Sequence, residues 1–290
     1  MKKGLLITNG FVEENSFKKL WSSLLDAAQK RSMALTCAPH DTLLFDAASG
    51  KPLWNAGDVD FAILWDKDVR LGYQLQRLGI RVFNPPEAIE ICDDKSLTHM
   101  ALTGLPMPPT IIVPTTYKYV GYGDMSFVDK AVEYLGLPMI IKECRGSFGK
   151  QVYLVETAAQ AKEMILAREA TPMLMQRAMT ESFGRDIRIY LVGGRVIAAM
   201  ERRNDGDFRA NIANGGSSAA YTPTTEEAEL AVSAVQRLGL DFAGVDILQS
   251  DGGPLICEVN SNAHFHGMEQ CTGADVAGAI MEHIITETEN

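Results

Sequence analysis

The sequence predicts a mixed fold, α/β at its N-terminal end and α+β over the remainder, on three observations. The first third alternates short apolar runs with helical spacings, a pattern typical of a parallel sheet covered by helices. The middle holds two apolar runs around a glycine-containing loop, and the last third is mainly strands joined by glycine turns. With 290 residues, 46% of them hydrophobic, the chain can bury a sizeable core, which excludes disorder and a disulfide-stapled miniprotein.

Residues 1–93 are expected to form an N-terminal α/β domain. Strands are predicted at 5–7, 61–65 and 81–83, and helical spacings lie between them at 20–28 and 71–78. This part contains no G-x-G-x-x-G motif, so a dinucleotide site is not expected here. The character of the chain changes between Pro85 and Lys95, which places the first domain boundary there.

Residues 94–173 are expected to form a central domain. A helix is predicted at 127–135, ended by Gly136. Strands at 139–142 and 152–155 then flank a glycine-containing loop, and together they predict a hairpin-like flap.

Residues 174–290 are expected to form an α+β domain. Strands at 186–192 and 196–201 meet at a Gly-Gly turn, and the polar segment 204–218 that follows predicts a mobile loop. Thr224 and Glu227 have the spacing of a capping box, which predicts a helix start. Two further strands, at 242–248 and 255–260, and a final helix complete the domain.

The charge composition, the cysteines and the lengths of the apolar segments indicate which binding partners and which cellular compartment to expect. The chain has 27 Lys and Arg against 37 Asp and Glu, a net charge of −10, so neither nucleic acid nor a membrane surface is an expected partner. The five cysteines are odd in number and show no C-x-x-C spacing, which favours reduced thiols in the cytoplasm. No apolar stretch approaches the length of a membrane span or of a signal peptide core.

Three oxygen-bearing side chains stand in apolar strands near the C-terminal end: Asp246, Glu258 and Asn260. Carboxylates are costly there unless they are paired or bound to a cation. Because strand side chains alternate, Glu258 and Asn260 share a face, and a three-residue loop at 251–253 would place Asp246 directly across from Glu258. Such hard oxygen donors suit Mg²⁺. The alternative is a solvent-facing strand edge.

Basic residues follow several of the predicted strands. Lys142 precedes a glycine loop whose backbone N–H groups could approach phosphate oxygens, although its spacing is not that of a Walker A motif. A plain hairpin turn is the alternative. Arg202, Arg203 and Arg209 would clamp a triphosphate beside a carboxylate–metal site, and the alternative is a solvated basic run.

A second cluster of metal-ligand residue types lies close to the end of the last strand. Cys257, His264, His266 and Cys271 follow no standard zinc spacing. His264 and His266 are instead expected to line an acceptor pocket or to fill a turn. No serine stands in a G-x-S-x-G elbow, so a hydrolase triad has no support.

Several stretches carry a resemblance to the ATP-grasp ligases of the RimK type. They are GRDIR at 184–188, VIAAMER at 196–202, GDFRAN at 206–211, AGVDIL at 243–248, GPLICEVN at 253–260 and TGADVAG at 272–278. The resemblance is nearly continuous from about Lys95 to Ile285, and before that it is only a general pattern. It implies the ATP-grasp fold: a pre-ATP-grasp domain, a central lid subdomain and a C-terminal α+β subdomain, with ATP between the last two.

The resemblance also implies a role for individual residues. Asp246, Glu258 and Asn260 fall on the family's ligands for Mg²⁺ or Mn²⁺, of which two ions are expected. The nucleotide contacts implied are Lys95 and Lys142 on phosphates, Gln176, Arg177 and Ala178 in the linker that holds adenine, Asp186 on the ribose or nucleotide, and Arg209 and Asn211 on phosphates. The catalytic residues implied are Arg202, near the reacting centre, and Arg209.

Two departures from the family pattern bear on the substrate. Arg177 replaces a glutamate in the adenine linker, where the contacts are largely through backbone. The run SNAHFHG at 261–267 replaces ASPGLEG near the acceptor, so the ribosomal-protein tail that RimK modifies is not the expected acceptor.

The activity implied is ATP-dependent amide formation between a carboxylate and an amine through an acylphosphate. The expected product carries an amino acid such as glutamate on a peptide or small-molecule acceptor, and a homo-oligomer is expected. Two alternatives stay open: an ATP-grasp enzyme that phosphorylates a small molecule, and a nucleotide-binding regulatory protein without turnover.

Overall fold

The computed structural model describes residues 2–210 and 215–289. Its first sheet has four strands, all parallel, in the order β2-β1-β3-β4. Their bounds are β1 Lys3–Thr8, β2 Ala34–Pro39, β3 Phe61–Leu64 and β4 Arg81–Phe83. The parallel arrangement expected from the alternating pattern is confirmed. Sequence reasoning missed β2, because this edge strand is half exposed and lacks a continuous apolar run.

Helices cover both faces of this sheet. They are α1 Asn15–Lys30, α2 Val69–Arg77 and α3 Pro86–Asp93. Leu24 of α1 packs in one core with Leu6, whereas Leu75 of α2 packs in another with Ile7. Leu6 and Ile7 are neighbours that point to opposite faces, as alternation along a strand requires.

The central sheet is antiparallel, in the order β5-β8-β6-β7. Its strands are β5 Thr110–Ile112, β6 Met139–Glu143, β7 Val152–Val155 and β8 Met173–Arg177. The preceding helix is α4 Lys95–Ala101, and α5 Ser126–Leu135 and α6 Ala158–Leu166 pack on the sheet. The sheet continues past the boundary predicted at 173/174, because β8 pairs with β5 as far as Gln176 and with β6 as far as Arg177.

The C-terminal sheet is antiparallel, in the order β11-β10-β9-β12-β13. Its strands are β9 Arg185–Val192, β10 Arg195–Arg203, β11 Ser217–Ala220, β12 Phe242–Ser250 and β13 Gly253–Asn260. The helices of this part are α7 Thr225–Leu238, α8 His266–Thr272 and α9 Val276–Glu289. The predicted capping box is confirmed, since Thr224 and Glu227 exchange hydrogen bonds at the start of α7.

The first and last sheets are joined through buried contacts. The ring of Trp65, just after β3, stacks on Phe242 of β12 with centroids 5.3 Å apart. The fully buried Asn84 donates to the carbonyls of Phe242 and Ser261 and accepts from the N–H groups of Asp241 and Phe242. These contacts fix the N-terminal domain against the strands that carry the site.

Helix α4 and the residues just after it contact both the central and the C-terminal sheet. Leu102 belongs to the same core as Ala231 of α7. The backbone N–H of Lys95 donates to the carbonyl of Cys144, just after β6, at 2.9 Å, and the ring of His99 lies 3.3 Å from the side-chain amide of Gln176 in β8. All five cysteines are free. Of the helices that the structure describes, none combines the length and apolar character needed to cross a bilayer.

Candidate functional site

The β12–β13 hairpin brings Asp246 and Glu258 together. The two residues are direct partners in the antiparallel pairing, as predicted. The predicted loop length is wrong, because Ser250 pairs with Gly253 and the loop therefore has two residues, not three. A β-bulge shifts the register by one residue instead. Asp246 pairs with Glu258 and the next residue, Ile247, pairs with Ile256, which leaves Cys257 as the extra, unpaired residue of the bulge.

Asp246 is buried between two arginines. Arg188 of β9 donates from Nε and Nη2 to the two carboxylate oxygens at 2.6 and 2.7 Å. Arg202 of β10 approaches Oδ2 with Nη2 at 2.9 Å. Burial, the largest influence, raises the pKa of Asp246, but the two guanidinium charges outweigh it and hold that pKa below the ordinary value. Asp246 is therefore an anion at neutral pH.

Arg202 is itself held by a second acid. Its Nε and Nη2 donate to the two oxygens of Asp186, both at 2.6 Å. The register explains this contact, since Arg202 and Asp186 are opposite each other in the β9–β10 pairing. The result is one row of alternating charge across three strands, made of Asp186, Arg202, Asp246 and Arg188. The attraction between neighbours in the row offsets the cost of burying each charge.

The other two predicted metal ligands lie on β13. Glu258 is about one third exposed, and its Oε1 is 3.5 Å from the Nζ of Lys95. The buried Nδ2 of Asn260 has no hydrogen-bond partner within the described residues. Two opposed carboxylates and an amide oxygen are a hard donor set that fits Mg²⁺. No cluster of three His, Cys, Asp or Glu exists in the described ranges, so this set depends on Asn260.

A cavity of about 110 Å³ lies between the central and C-terminal sheets. Its lining includes most of the residues predicted for nucleotide, metal and catalysis: Lys95, Lys142, Gln176, Arg177, Asp186, Arg202, Arg209, Asp246 and Glu258. Ala178 is not part of the lining, and Asn211 lies outside the described residues. The geometry thus collects cations and carboxylates from both sheets at one place.

The predicted phosphate cations come from different elements. Lys142 of β6 is buried, with Nζ 3.8 Å from the Sγ of Cys257, the bulge residue. Lys95, at the start of α4, donates at 3.1 Å to the carbonyl of Gly146, which lies in the loop between β6 and β7 (residues 144–151, the flap loop). Arg209 donates to the carbonyl of Gly149 at 2.7 Å. Two of these three cations therefore contact the flap loop itself.

The predicted adenine linker occupies the end of β8. Gln176 is buried and donates to Thr110 Oγ1 at 2.8 Å, with His99 Nε2 3.3 Å away. Arg177 turns its guanidinium to the carbonyls of Leu135 and Tyr134 at the end of α5. The guanidinium of Arg177 is therefore held at the end of α5.

A larger cavity of about 530 Å³ opens beside the first, and Gly146, Ser147, Arg202 and Glu258 line both. Asn260 and His264 line this second cavity. The ring of His264 lies edge-on between Phe17 of α1 and Phe148 of the flap loop, at 4.5 and 5.9 Å. His266 does not line either cavity, and its Nε2 contacts Gln270 at 3.1 Å.

Sequence reasoning missed Arg188, which lines the second cavity and holds Asp246. The available signal was its position two residues after Asp186 in an apolar strand, which places both on one face of β9. A charged pair on that face would have indicated further partners on the neighbouring strands.

Solved structures share this architecture. The RimK domain ATP-grasp protein of Sphaerobacter thermophilus superposes with a TM-score of 0.74 at 20% identity, covering 97% of this chain and 98% of that one. D-alanine–D-alanine ligase of Bacillus anthracis, in a complex with ATP, gives a TM-score of 0.75 at 17% identity, covering 100% of this chain and 98% of that one. These likenesses define the fold as ATP-grasp.

Sequence comparison identifies the family within the proteins of this fold. Residues 93–284 match the RimK-like ATP-grasp domain, and the chain therefore belongs to that family. Beta-citrylglutamate synthase B of Danio rerio is 35% identical over 224 residues, covering 76% of this chain and 54% of that protein. A probable alpha-L-glutamate ligase of Parasynechococcus marenigrum is 39% identical over 216 residues, covering 73% of this chain and 45% of that protein. The chain spans about half the length of the curated relatives it matches.

Proposed function

We propose that this chain is an ATP-dependent carboxylate–amine ligase that forms an amide through an acylphosphate. The observation that supports this proposal most directly is that the two cavities share a wall, which is formed by Gly146, Ser147, Arg202 and Glu258. The smaller cavity has the cations that a triphosphate needs, and the larger has room for an acid and an amine. A γ-phosphate at this wall would face both substrates.

In the first step, a carboxylate oxygen of the acid attacks the γ-phosphorus of ATP. A new C–O–P linkage forms, the P–O bond to the β-phosphate breaks, and ADP leaves. Negative charge spreads over the transferring group, and Lys95, Lys142 and Arg209 supply positive charge from the lid side and the C-terminal side. These cations stabilise the transition state without a covalent enzyme intermediate.

In the second step, the amine nitrogen attacks the acyl carbon. The C–N bond forms, the C–O bond to phosphate breaks, and the amine gives up a proton as phosphate leaves. Water would hydrolyse the acylphosphate, so the site must be covered. The flap loop supplies cover, since Lys95 and Arg209 hold its Gly146 and Gly149 carbonyls and its Phe148 packs on His264.

The proposed metal site uses Asp246, Glu258 and Asn260. Bound magnesium supplies charge neutralisation on the phosphates of ATP. The residues themselves provide two carboxylates and an amide at the wall between the cavities. Two ions are proposed, and Asp246, Glu258 and Asn260 would hold them.

The names of the relatives suggest the product class. They include synthases of beta-citrylglutamate and N-acetylaspartylglutamate and probable alpha-L-glutamate ligases. We propose that the amine is an amino acid such as glutamate and that the acid is a small molecule or a peptide. The residues at 261–267, which differ from the RimK pattern, would select that acid.

Three finer properties are proposed with this function. The chain would associate with itself, which light scattering coupled to gel filtration tests. It would work in the cytoplasm, where its free cysteines stay reduced. It would act as three domains, 1–93, 94–173 and 174–290, with the central sheet running on to Arg177; limited proteolysis tests these limits.

The deciding experiment is a panel of acids and amines with ATP and magnesium, read by phosphate release and mass spectrometry. A ligase releases phosphate only when acid and amine are both present, and the new product has the mass of an amide. A single phosphorylated product would instead identify a small-molecule kinase. ATP binding without turnover across the panel would identify a regulatory protein.

A further inference from the structure

Arg188 stands at the boundary between the buried charge row and the larger cavity. Its side chain is 13% exposed, against 4% for Arg202 and 5% for Asp246. Nε and Nη2 hold Asp246, and within the described part of the chain Nη1 donates to nothing. Arg188 lines the 530 Å³ cavity, where the acid and amine are proposed to bind.

The two arginines on Asp246 differ in how firmly they are held. Arg202 also has a bidentate pair with Asp186, so it keeps a buried partner if Asp246 changes its own. Arg188 has Asp246 as its one ion-pair partner among the residues described. Arg188 is thus the member of the row that can exchange partners.

Asp246 itself has little spare bonding capacity. A carboxylate offers about four lone-pair sites. Arg188 and Arg202 approach its two oxygens through three N···O contacts between 2.6 and 2.9 Å. A divalent cation at Asp246 must therefore share a crowded oxygen pair with a guanidinium of like charge, and the two repel each other.

We propose that Arg188 competes with the divalent cation for Asp246 and that a substrate carboxylate in the larger cavity removes this competition by taking Arg188 as its partner. The proposal rests on the proposed function, which places an acid in that cavity. A planar guanidinium matches a second carboxylate as well as the first, so the exchange keeps both hydrogen bonds. Acid and metal would then bind cooperatively, each tightening the other by the same factor.

The first test measures Mn²⁺ affinity in the presence of ADP, by electron paramagnetic resonance of free Mn²⁺. Wild type is compared with Arg188→Ala and with Arg195→Ala, an exposed arginine on β10 as the matched control. Arg188→Ala is expected to bind Mn²⁺ about threefold more tightly, since a competing cation is gone. Arg195→Ala should equal wild type. Unchanged or weaker binding by Arg188→Ala overturns the competition.

The second test adds N-acetyl-L-aspartate, a dicarboxylate without a free amine. It is expected to tighten Mn²⁺ binding about threefold in wild type and to have no such effect in Arg188→Ala. Equal tightening in both proteins, or none in wild type, overturns the exchange.

Two controls keep these results interpretable. Circular dichroism checks the fold of each variant, and Arg188→Lys, which keeps the charge without the planar fork, replaces Arg188→Ala if the latter does not fold. Arg188→Lys should also bind Mn²⁺ more tightly than wild type, by a smaller factor, and no change would count against the competition. Failure of the proposed function is measured separately, because the panel of acids and amines would then give no amide product, whatever the Mn²⁺ affinities of these variants.

Discussion

At the residue scale, the buried charges of the row across β9, β10 and β12 are tolerated because each member of the row has a partner of opposite sign. Asp246 has Arg188 and Arg202, and Arg202 has Asp186 as well. An unpaired charge in this position would cost several kcal/mol. Glu258 differs from these residues, since it is partly exposed and its nearest cation, Lys95, is 3.5 Å away. It is the carboxylate with the most freedom to take a metal ion.

The role of Glu258 leads to the first prediction. Glu258→Gln keeps the shape of the side chain and removes its charge, so magnesium-dependent ATP cleavage should fall at least about 100-fold with the fold intact. Phosphate release and circular dichroism measure the two effects. Glu229→Gln, on the exposed side of α7, is the control. Turnover at the wild-type rate in Glu258→Gln would refute the metal assignment.

His99 gives a pH-dependent prediction. Burial, with a smaller effect from Lys142, lowers its pKa from 6.5 to about 4, so the folded protein disfavours the protonated ring. Its contribution to stability is complete above pH 6.5 and is lost as pH falls towards 4, by about 1–3 kcal/mol.

Denaturant unfolding of wild type and His99→Gln at several pH values measures this contribution. The stability difference between the two proteins should change in favour of His99→Gln as pH falls, because glutamine does not titrate. Parallel pH profiles for the two proteins would contradict the assignment to His99.

At the element scale, short signals in the sequence determine where helices begin and strands pair. Gly136 ends α5 with a positive φ of 79°, as predicted. The register of the β12–β13 hairpin was harder to predict, because the Cys257 bulge has no local sequence signal of its own. The bulge is a property of the pairing of two strands, and its effect is to bring Asp246 and Glu258 onto one face.

The capping box of α7 allows a test at this scale. Thr224→Ala removes the hydroxyl that accepts from the Glu227 N–H at 3.2 Å, and should lower the free energy of unfolding by about 1 kcal/mol. Thr222→Ala, an exposed threonine outside the helix, should change it by less than about 0.5 kcal/mol. Urea unfolding measures both, and equal effects would show that the cap adds nothing.

At the scale of the whole molecule, the site exists only where the three sheets meet. The smaller cavity takes residues from the central and C-terminal sheets, and the larger one adds Asn9, Phe17 and Trp65 from the N-terminal part. Relative displacement of the domains would open both cavities. Stability of the domain contacts and function are therefore expected to be linked.

Asn84 tests that link. Its buried side chain makes four hydrogen bonds to backbone groups of Asp241, Phe242 and Ser261. Asn84→Ala leaves these groups unpaired and should lower the free energy of unfolding by about 3–5 kcal/mol. Asn55→Ala, at an exposed turn, should cost less than about 1 kcal/mol. Chemical unfolding measures both, and a small effect at Asn84 would contradict its role in joining the domains.

The sequence by itself determined most of the strands and helices, the parallel N-terminal sheet, the family resemblance and the residues proposed for nucleotide and metal, because these depend on local periodicity and on short motifs. Only the tertiary structure decided which charges meet. Asp186 and Arg188 are on β9, Arg202 is on the neighbouring strand β10, and Asp246 is on β12, some distance away in sequence. Their contacts follow from the register of these strands. The physical reason is that register, bulges and domain contacts arise from pairing between distant segments, which no single segment encodes.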